Sequence, residues 1–121
     1  MIHTSSVTGT GVGEDASATF TSYSEFICGK IICIDVEYEA TTPAPESDLI
    51  ISDNQGTDRA ILTLTNKVTD GRFYPRLVID DEVGVSIASN YEYHYANSTL
   101  KVVGSQLDED DVINVIIYWE D

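Results

Sequence analysis

The strongest constraint on the fold is the segment 29–40, GKIICIDVEYEA, in which apolar side chains recur at every second position. One set of alternate positions is apolar throughout: Ile32, Ile34, Val36, Tyr38 and Ala40. The other set starts apolar and becomes acidic: Ile31, Cys33, Asp35, Glu37 and Glu39. Side chains alternate between the two faces of a strand, and β-branched residues are disfavoured in helices. The segment therefore predicts a long β-strand that runs from the core to an acidic edge.

Further short segments have strand-like patterns and are separated by residues that favour turns. They cover residues 18–23, 48–53, 59–65, 76–80, 85–88, 91–95, 99–105 and 112–119. Pro43 and Pro45 cannot donate to a strand ladder, and the pair Asp70 and Gly71 is typical of a turn. No helical period is visible. About eight short strands predict a single-domain, all-β antiparallel sandwich, jelly-roll-like, over residues 17–121. Residues 1–16 are rich in Gly, Ser and Thr and are predicted to form a flexible N-terminal arm.

The charge balance restricts the classes of partner. The chain has 21 acidic and six basic residues, which gives a net charge of −15. Phosphate backbones and anionic lipid surfaces repel such a protein, so nucleic acid and membranes are not expected as partners. No apolar run has the length of a membrane span, and no signal-peptide pattern opens the chain, so we expect synthesis in the cytoplasm.

We find no set of residues that predicts catalysis, a cofactor or a metal centre. Cys28 and Cys33 are too far apart along one strand to form a disulfide with each other, and we expect them to be reduced. Only His3 and His94 are available to complete a zinc site, so none is predicted. The acidic loop 108–111, DEDD, has two open interpretations. It is either a cation site or a charged segment that keeps the following apolar strand soluble.

The segment 58–79, DRAILTLTNKVTDGRFYPRLVI, and the closing strand VINVIIYWED resemble the small decoration (cement) proteins of tailed-bacteriophage capsids. The most distinctive part is TDGRFYPR, at residues 69–76, and the resemblance extends over residues 26–121. It implies a jelly-roll protein without active site or cofactor, located in the virion on the outer capsid surface. Its implied partners are neighbouring subunits of the major capsid protein and further copies of itself, as a homodimer or homotrimer.

Two surfaces are candidates for binding. A stretch with arginine and aromatic side chains is the candidate protein interface, since such residues dominate interface energetics: Arg59, Arg72, Phe73, Tyr74 and Arg76. The alternative is that the aromatic residues cap the core and the arginines pair with Asp80 or Asp81. Three alternating tyrosines, Tyr91, Tyr93 and Tyr95, are a candidate sugar platform. They would suit a carbohydrate-binding or receptor-binding module of a phage fibre. A head–tail or tail component is a further alternative.

Overall fold

The computed structural model describes residues 1–39, 42–56, 58–80 and 82–121, without the side chains of residues 79, 80 and 88–90. Ala40, the predicted end of the long strand, therefore lies outside the described residues. The part of the chain that is described forms eleven β-strands and no helix. The strands are β1 (Ile2–Thr10), β2 (Ala18–Tyr23), β3 (Ile27–Tyr38), β4 (Asp48–Asp53), β5 (Ala60–Leu64), β6 (Gly71–Phe73), β7 (Arg76–Asp80), β8 (Ser86–Tyr93), β9 (Tyr95–Ser98), β10 (Leu100–Leu107) and β11 (Val112–Glu120). No helix in these ranges is long and apolar enough to span a membrane.

The strands form three antiparallel sheets, so the all-β antiparallel prediction is confirmed. The five-stranded sheet has the order β1-β11-β3, and both β6 and β9 pair with the remaining side of β3. The four-stranded sheet has the order β2-β10-β4-β5. Among the described residues, strands β7 and β8 pair with each other alone and form a two-stranded sheet. The long strand β3 is central, because it holds three other strands in register.

One hydrophobic core contains side chains from both larger sheets. Its fully buried members include Ile34, Val36 and Ile117 from the five-stranded sheet, and Ile51 and Val102 from the four-stranded sheet. Alternate positions of each strand supply these residues, as the sequence periodicity predicts. The core therefore joins the two sheets into one folded body.

Phe20 ties the two sheets together at one end of this core. Its ring, on β2, lies between Gly9 of β1 and Gly104 of β10. A Cβ atom added at either glycine would overlap the ring. The absence of a side chain at both positions thus makes the space that the aromatic ring fills.

Two β-bulges change which residues face the core. The pairing of β3 with β11 skips Ile32, because Ile31 pairs with Trp119 and Cys33 with Tyr118. Ile31 is consequently fully buried, whereas Ile32 is only half-buried. The expectation that Ile32 shares a face with Ile34 is therefore wrong, since one extra residue reverses the alternation.

The same correction applies to β5. Its pairing with β4 skips Ile61, which is buried, and leaves Ala60 exposed. The predicted face of Ala60, Leu62 and Leu64 is therefore interrupted at the bulge. Both discrepancies have one cause, because a period of two holds only while each strand advances residue for residue with its neighbour.

The N-terminal segment differs from the expected flexible arm. Residues 2–10 pair with β11 along their whole length as the edge strand β1. Ser5, Val7 and Gly9 point inwards and are buried, while the residues between them are exposed. The small inward residues allow β1 to lie close to the rest of the body. Strand β11 is strongly apolar, and β1 and β3 pair with its two sides. The prediction overlooked this alternation because serine, threonine and glycine dominate the segment.

Both cysteines are free thiols, as predicted. Cys28 is exposed and Cys33 is buried, although both lie on β3. Burial raises the pKa of the Cys33 thiol, which disfavours the reactive thiolate.

Candidate protein-interaction site

The two-stranded sheet of β7 and β8, hereafter the hairpin, is inserted into the edge of the five-stranded sheet. The chain leaves that edge after β6, whose Phe73 pairs with Ile34 of β3. It returns at β9, whose Tyr95 pairs with Lys30 of β3. The hairpin therefore departs beside residues 31–33 of β3, where neither β6 nor β9 forms a ladder pair.

The bulge at Ile32 provides the attachment point of the hairpin. Arg76, the first residue of β7, donates a hydrogen bond from Nη1 to the Ile32 carbonyl oxygen at 3.1 Å. The same nitrogen donates to the Pro75 carbonyl oxygen at 2.8 Å. The Ile32 carbonyl group, which lies at the bulge, therefore accepts a hydrogen bond from a charged side chain.

Aromatic and backbone contacts complete the base of the hairpin. The Arg76 guanidinium lies 4.1 Å from the centroid of the Tyr93 ring, and Lys30 Nζ lies 4.8 Å from it. The amide nitrogen of Ile31 donates to the His94 carbonyl oxygen at 2.8 Å. These contacts join the first and last residues of the hairpin to β3, and they fix the direction in which it leaves the body.

His94 lies buried immediately after the hairpin. Burial is the largest influence on its imidazole and lowers its pKa, and the positive charge of Arg59 acts in the same direction. A hydrogen bond to the backbone of Arg76 opposes this shift. The structure at the base therefore favours a neutral imidazole.

Beyond its base, the hairpin exposes many apolar side chains. They are Leu77, Val78, Val83, Val85, Ile87 and Tyr91. Val78 and Tyr91 pair across the two strands, with 44% and 60% of their surfaces exposed, whereas Leu77 points to the opposite face. Isolated two-stranded hairpins are marginally stable in water, and clustered exposed apolar residues mark interaction surfaces. This surface is the strongest candidate for a binding site among the described residues.

The structure distributes the predicted arginine and aromatic residues over several environments. Arg72 Nε and Nη2 donate to the two carboxylate oxygens of Asp35 at 2.6 and 2.9 Å. This hydrogen bonding lowers the pKa of Asp35, and the guanidinium also lies 5.2 Å from the centroid of the Tyr118 ring. Arg59 Nε lies 3.8 Å from a carboxylate oxygen of Asp53. These two arginines are therefore already paired within the chain.

The remaining members of that set are divided between the core and the surface. Phe73 packs against the hydrophobic core, as the alternative interpretation predicted, while Tyr74 is 60% exposed. Arg76 contacts Ile32 and Tyr93 at the base of the hairpin. Asp81 and the side chain of Asp80, the expected partners of the arginines, lie outside the described residues.

The three tyrosines do not lie along one strand. His94 separates β8, which carries Tyr91 and Tyr93, from β9, which begins at Tyr95. The two outer rings are exposed, but the Tyr93 ring is covered by Arg76 and Lys30. The expectation of three in-line rings on one strand face is thus not met, because the chain changes its pairing partner from β7 to β3 at this point.

The carboxylates around the acidic loop 108–111 accept hydrogen bonds from backbone amides. Asp111 accepts from the amide of Asp108 at 3.1 Å, and Asp108 accepts from the amide of Ala16 at 2.9 Å. Asp15 accepts from the amide of Glu109 at 3.0 Å. These bonds hold the turn before β11. Across the described ranges, no cluster of three or more metal-ligating side chains is present.

The chain was compared with known protein families and with curated proteins. No family model matches it, and no curated protein matches it.

Proposed function

We propose that this chain is a non-enzymatic structural protein of a tailed-phage virion. In this proposal it binds the outer face of the head as a decoration protein and stabilises contacts between neighbouring subunits of the major capsid protein. The sequence resemblance in residues 58–79 and 112–121 points to this class. The proposal includes the finer fold, a jelly-roll-like sandwich built from the two larger sheets.

The observation that carries the proposal is the exposed hairpin. Apolar side chains on both of its faces are accessible, although the core of the same chain buries most of its isoleucines completely. A structural protein binds its partner through a surface whose burial lowers the free energy of the complex. The hairpin is such a surface, and its base holds it in a defined direction.

The charge of the chain suits a protein that is present in many copies before assembly. A net charge of −15 opposes aggregation of free copies despite the exposed apolar side chains. Association then depends on a partner that compensates this charge, which favours assembly on a different surface.

Co-sedimentation with purified phage heads tests the proposal. Heads of the source virus that lack this protein are mixed with the purified chain and pelleted. Isolated tails serve as the control particle. We expect saturable binding to the heads and a higher temperature of head disruption in the presence of the chain. Binding to tails alone, or to neither particle, would contradict the proposal.

A glycan assay separates this function from sugar binding. The chain is titrated with oligosaccharides while the fluorescence of Trp119 and the tyrosines is followed. We expect no saturable change, because the Tyr93 ring is covered and Tyr95 lies on a different strand from Tyr91 and Tyr93. Saturable quenching that is lost on substitution of Tyr91 and Tyr95 would favour a fibre module instead.

A further inference from the structure

We propose that the hairpin docks into an apolar groove bordered by lysine or arginine side chains on a different protein, and not onto a second copy of this chain. The inference deepens the proposed function, because it names the docking element and the chemistry of its partner. It rests on that function only for the identity of the partner as a capsid subunit.

Apolar side chains are exposed on both faces of the hairpin. Val78 and Tyr91 form a cross-strand pair on one face, and Leu77 lies on the other. Because both faces are accessible, a flat partner surface would leave one of them uncovered. A groove that receives the hairpin covers both faces.

The hairpin segment carries a net negative charge. Residues 76–93 contain four acidic residues, Asp80, Asp81, Glu82 and Glu92, and one basic residue, Arg76. Arg76 is turned towards the base, where it contacts Ile32 and Tyr93. The segment that enters the groove therefore carries excess negative charge, and basic side chains at the rim would complement it.

A second copy of the chain is a poor source of such basic groups. Four of the six basic side chains, all of which are described, already lie within 4 Å of a carboxylate of the same chain: Lys30 with Glu120, Arg59 with Asp53, Arg72 with Asp35 and Lys101 with Asp58. Arg76 holds the base, and Lys67 Nζ lies 5.9 Å from the centroid of the Phe73 ring. Two copies would instead bring together two net charges of −15.

Defined peptides test the chemistry without requiring phage heads. The probes are fluorescently labelled short peptides of alternating valine and lysine, and of alternating valine and glutamate. Binding to the intact chain is measured by fluorescence anisotropy at about 0.15 M salt, where long-range attraction is screened. We expect the valine–lysine peptide to bind at least about tenfold more tightly than the valine–glutamate peptide.

Substitutions of unchanged net charge locate the binding surface. In the variant Val78→Ser with Tyr91→Ser, we expect affinity for the valine–lysine peptide to fall about tenfold or more. The matched control is Ile50→Ser with Tyr23→Ser, which removes one aliphatic and one tyrosine side chain, both exposed, from β4 and β2. We expect this control to bind like the unmodified chain. Equal loss in both variants, or in neither, would overturn the inference.

A second variant keeps the test valid if the serine substitutions unfold the hairpin. Glu82→Gln leaves every apolar side chain in place and removes one exposed carboxylate next to β7. We expect a several-fold loss of affinity for the valine–lysine peptide only. Unchanged affinity would contradict the requirement for basic groups.

The same variants distinguish failure of the inference from failure of the proposed function. If the unmodified chain binds phage heads and the hairpin variant binds equally well, the inference is overturned and the proposed function stands. If the chain does not bind phage heads but binds the valine–lysine peptide through the hairpin, the proposed function fails and the inference stands. Sedimentation analysis of the free chain completes the test, since a dimer abolished by the hairpin substitutions would assign the surface to a second copy.

Discussion

The folded body and the hairpin use the same kind of side chain for different purposes. In the body, Ile34 and Ile117 are paired across β3 and β11 and are fully buried. In the hairpin, Val78 and Tyr91 are paired across β7 and β8 and remain exposed. The pairing is antiparallel in both regions, so the ladder does not cause the difference. The body has a second sheet that covers its apolar face, whereas among the described residues the strands of the hairpin pair with each other alone and keep apolar side chains exposed.

The largest expected effect separates the two regions by stability. Ile34→Ala should lower the free energy of unfolding by about 2–5 kcal/mol, because it leaves a cavity in the core. Val78→Ala should change it by less than about 0.5 kcal/mol, since nearly half of this residue is exposed and it lies outside the core. Urea unfolding followed by circular dichroism measures both values. Similar losses in the two variants would show that the hairpin is part of the cooperative core.

A smaller effect tests how tightly the body is packed. Gly104→Ala should cost about 1–3 kcal/mol, because Phe20 is held between Gly104 and Gly9 and has no space into which to move. Phe20→Leu should reduce the cost of the glycine substitution, which a double-mutant cycle in urea measures. Additive losses would mean that the ring and the added methyl group do not compete for space.

The attachment of the hairpin can be weakened without disturbing the body. Arg76→Gln removes the charged donor to the Ile32 carbonyl and the cation above Tyr93. We expect faster amide hydrogen exchange in residues 76–93 and nearly unchanged exchange in β3 and β11. The control is Arg59→Gln, which affects an exposed arginine outside this base. Uniformly faster exchange throughout the chain would argue against a separate hairpin.

The smallest effect is a dependence of stability on pH. The pKa of His94 is lowered in the folded protein relative to its ordinary value of 6.5. As pH falls below that value, the unfolded chain binds a proton that the folded chain still excludes, so the free energy of unfolding decreases until the folded pKa is reached. We expect His94→Gln to weaken the pH dependence of the free energy of unfolding between about pH 7 and the pH at which the carboxylates begin to titrate. If this variant has the same pH dependence as the unmodified chain, the dependence arises from other titratable groups.

The alternation of apolar residues was sufficient to predict the strand class and several boundaries. Strands β2 and β4 cover the residues expected from their sequence patterns, and the long strand β3 is central. These predictions succeed because burial on one face imposes the period of two directly on the sequence. The strand number was less accurate: the described residues form eleven strands where about eight were expected, since β1 and the three-residue β6 lack a strong apolar pattern.

The candidate site was harder to predict than the fold. The motif TDGRFYPR predicts an interface that includes Arg72 and Phe73, but Arg72 pairs with Asp35 and Phe73 packs on the core. The candidate site in the structure begins at Arg76, the last residue of that motif. Its position depends on the skipped residue Ile32 and on the change of strand partner at His94. Neither is visible in the sequence, because a bulge is defined by the register between two distant segments.

The way in which the hairpin is held suggests how new recognition properties would arise on this frame. Its attachment uses Arg76 and Tyr93 at its two ends, together with backbone groups of β3. Because these anchors lie at the ends of the segment, we expect that a sequence of similar length grafted between the same end residues would leave the scaffold in the same direction.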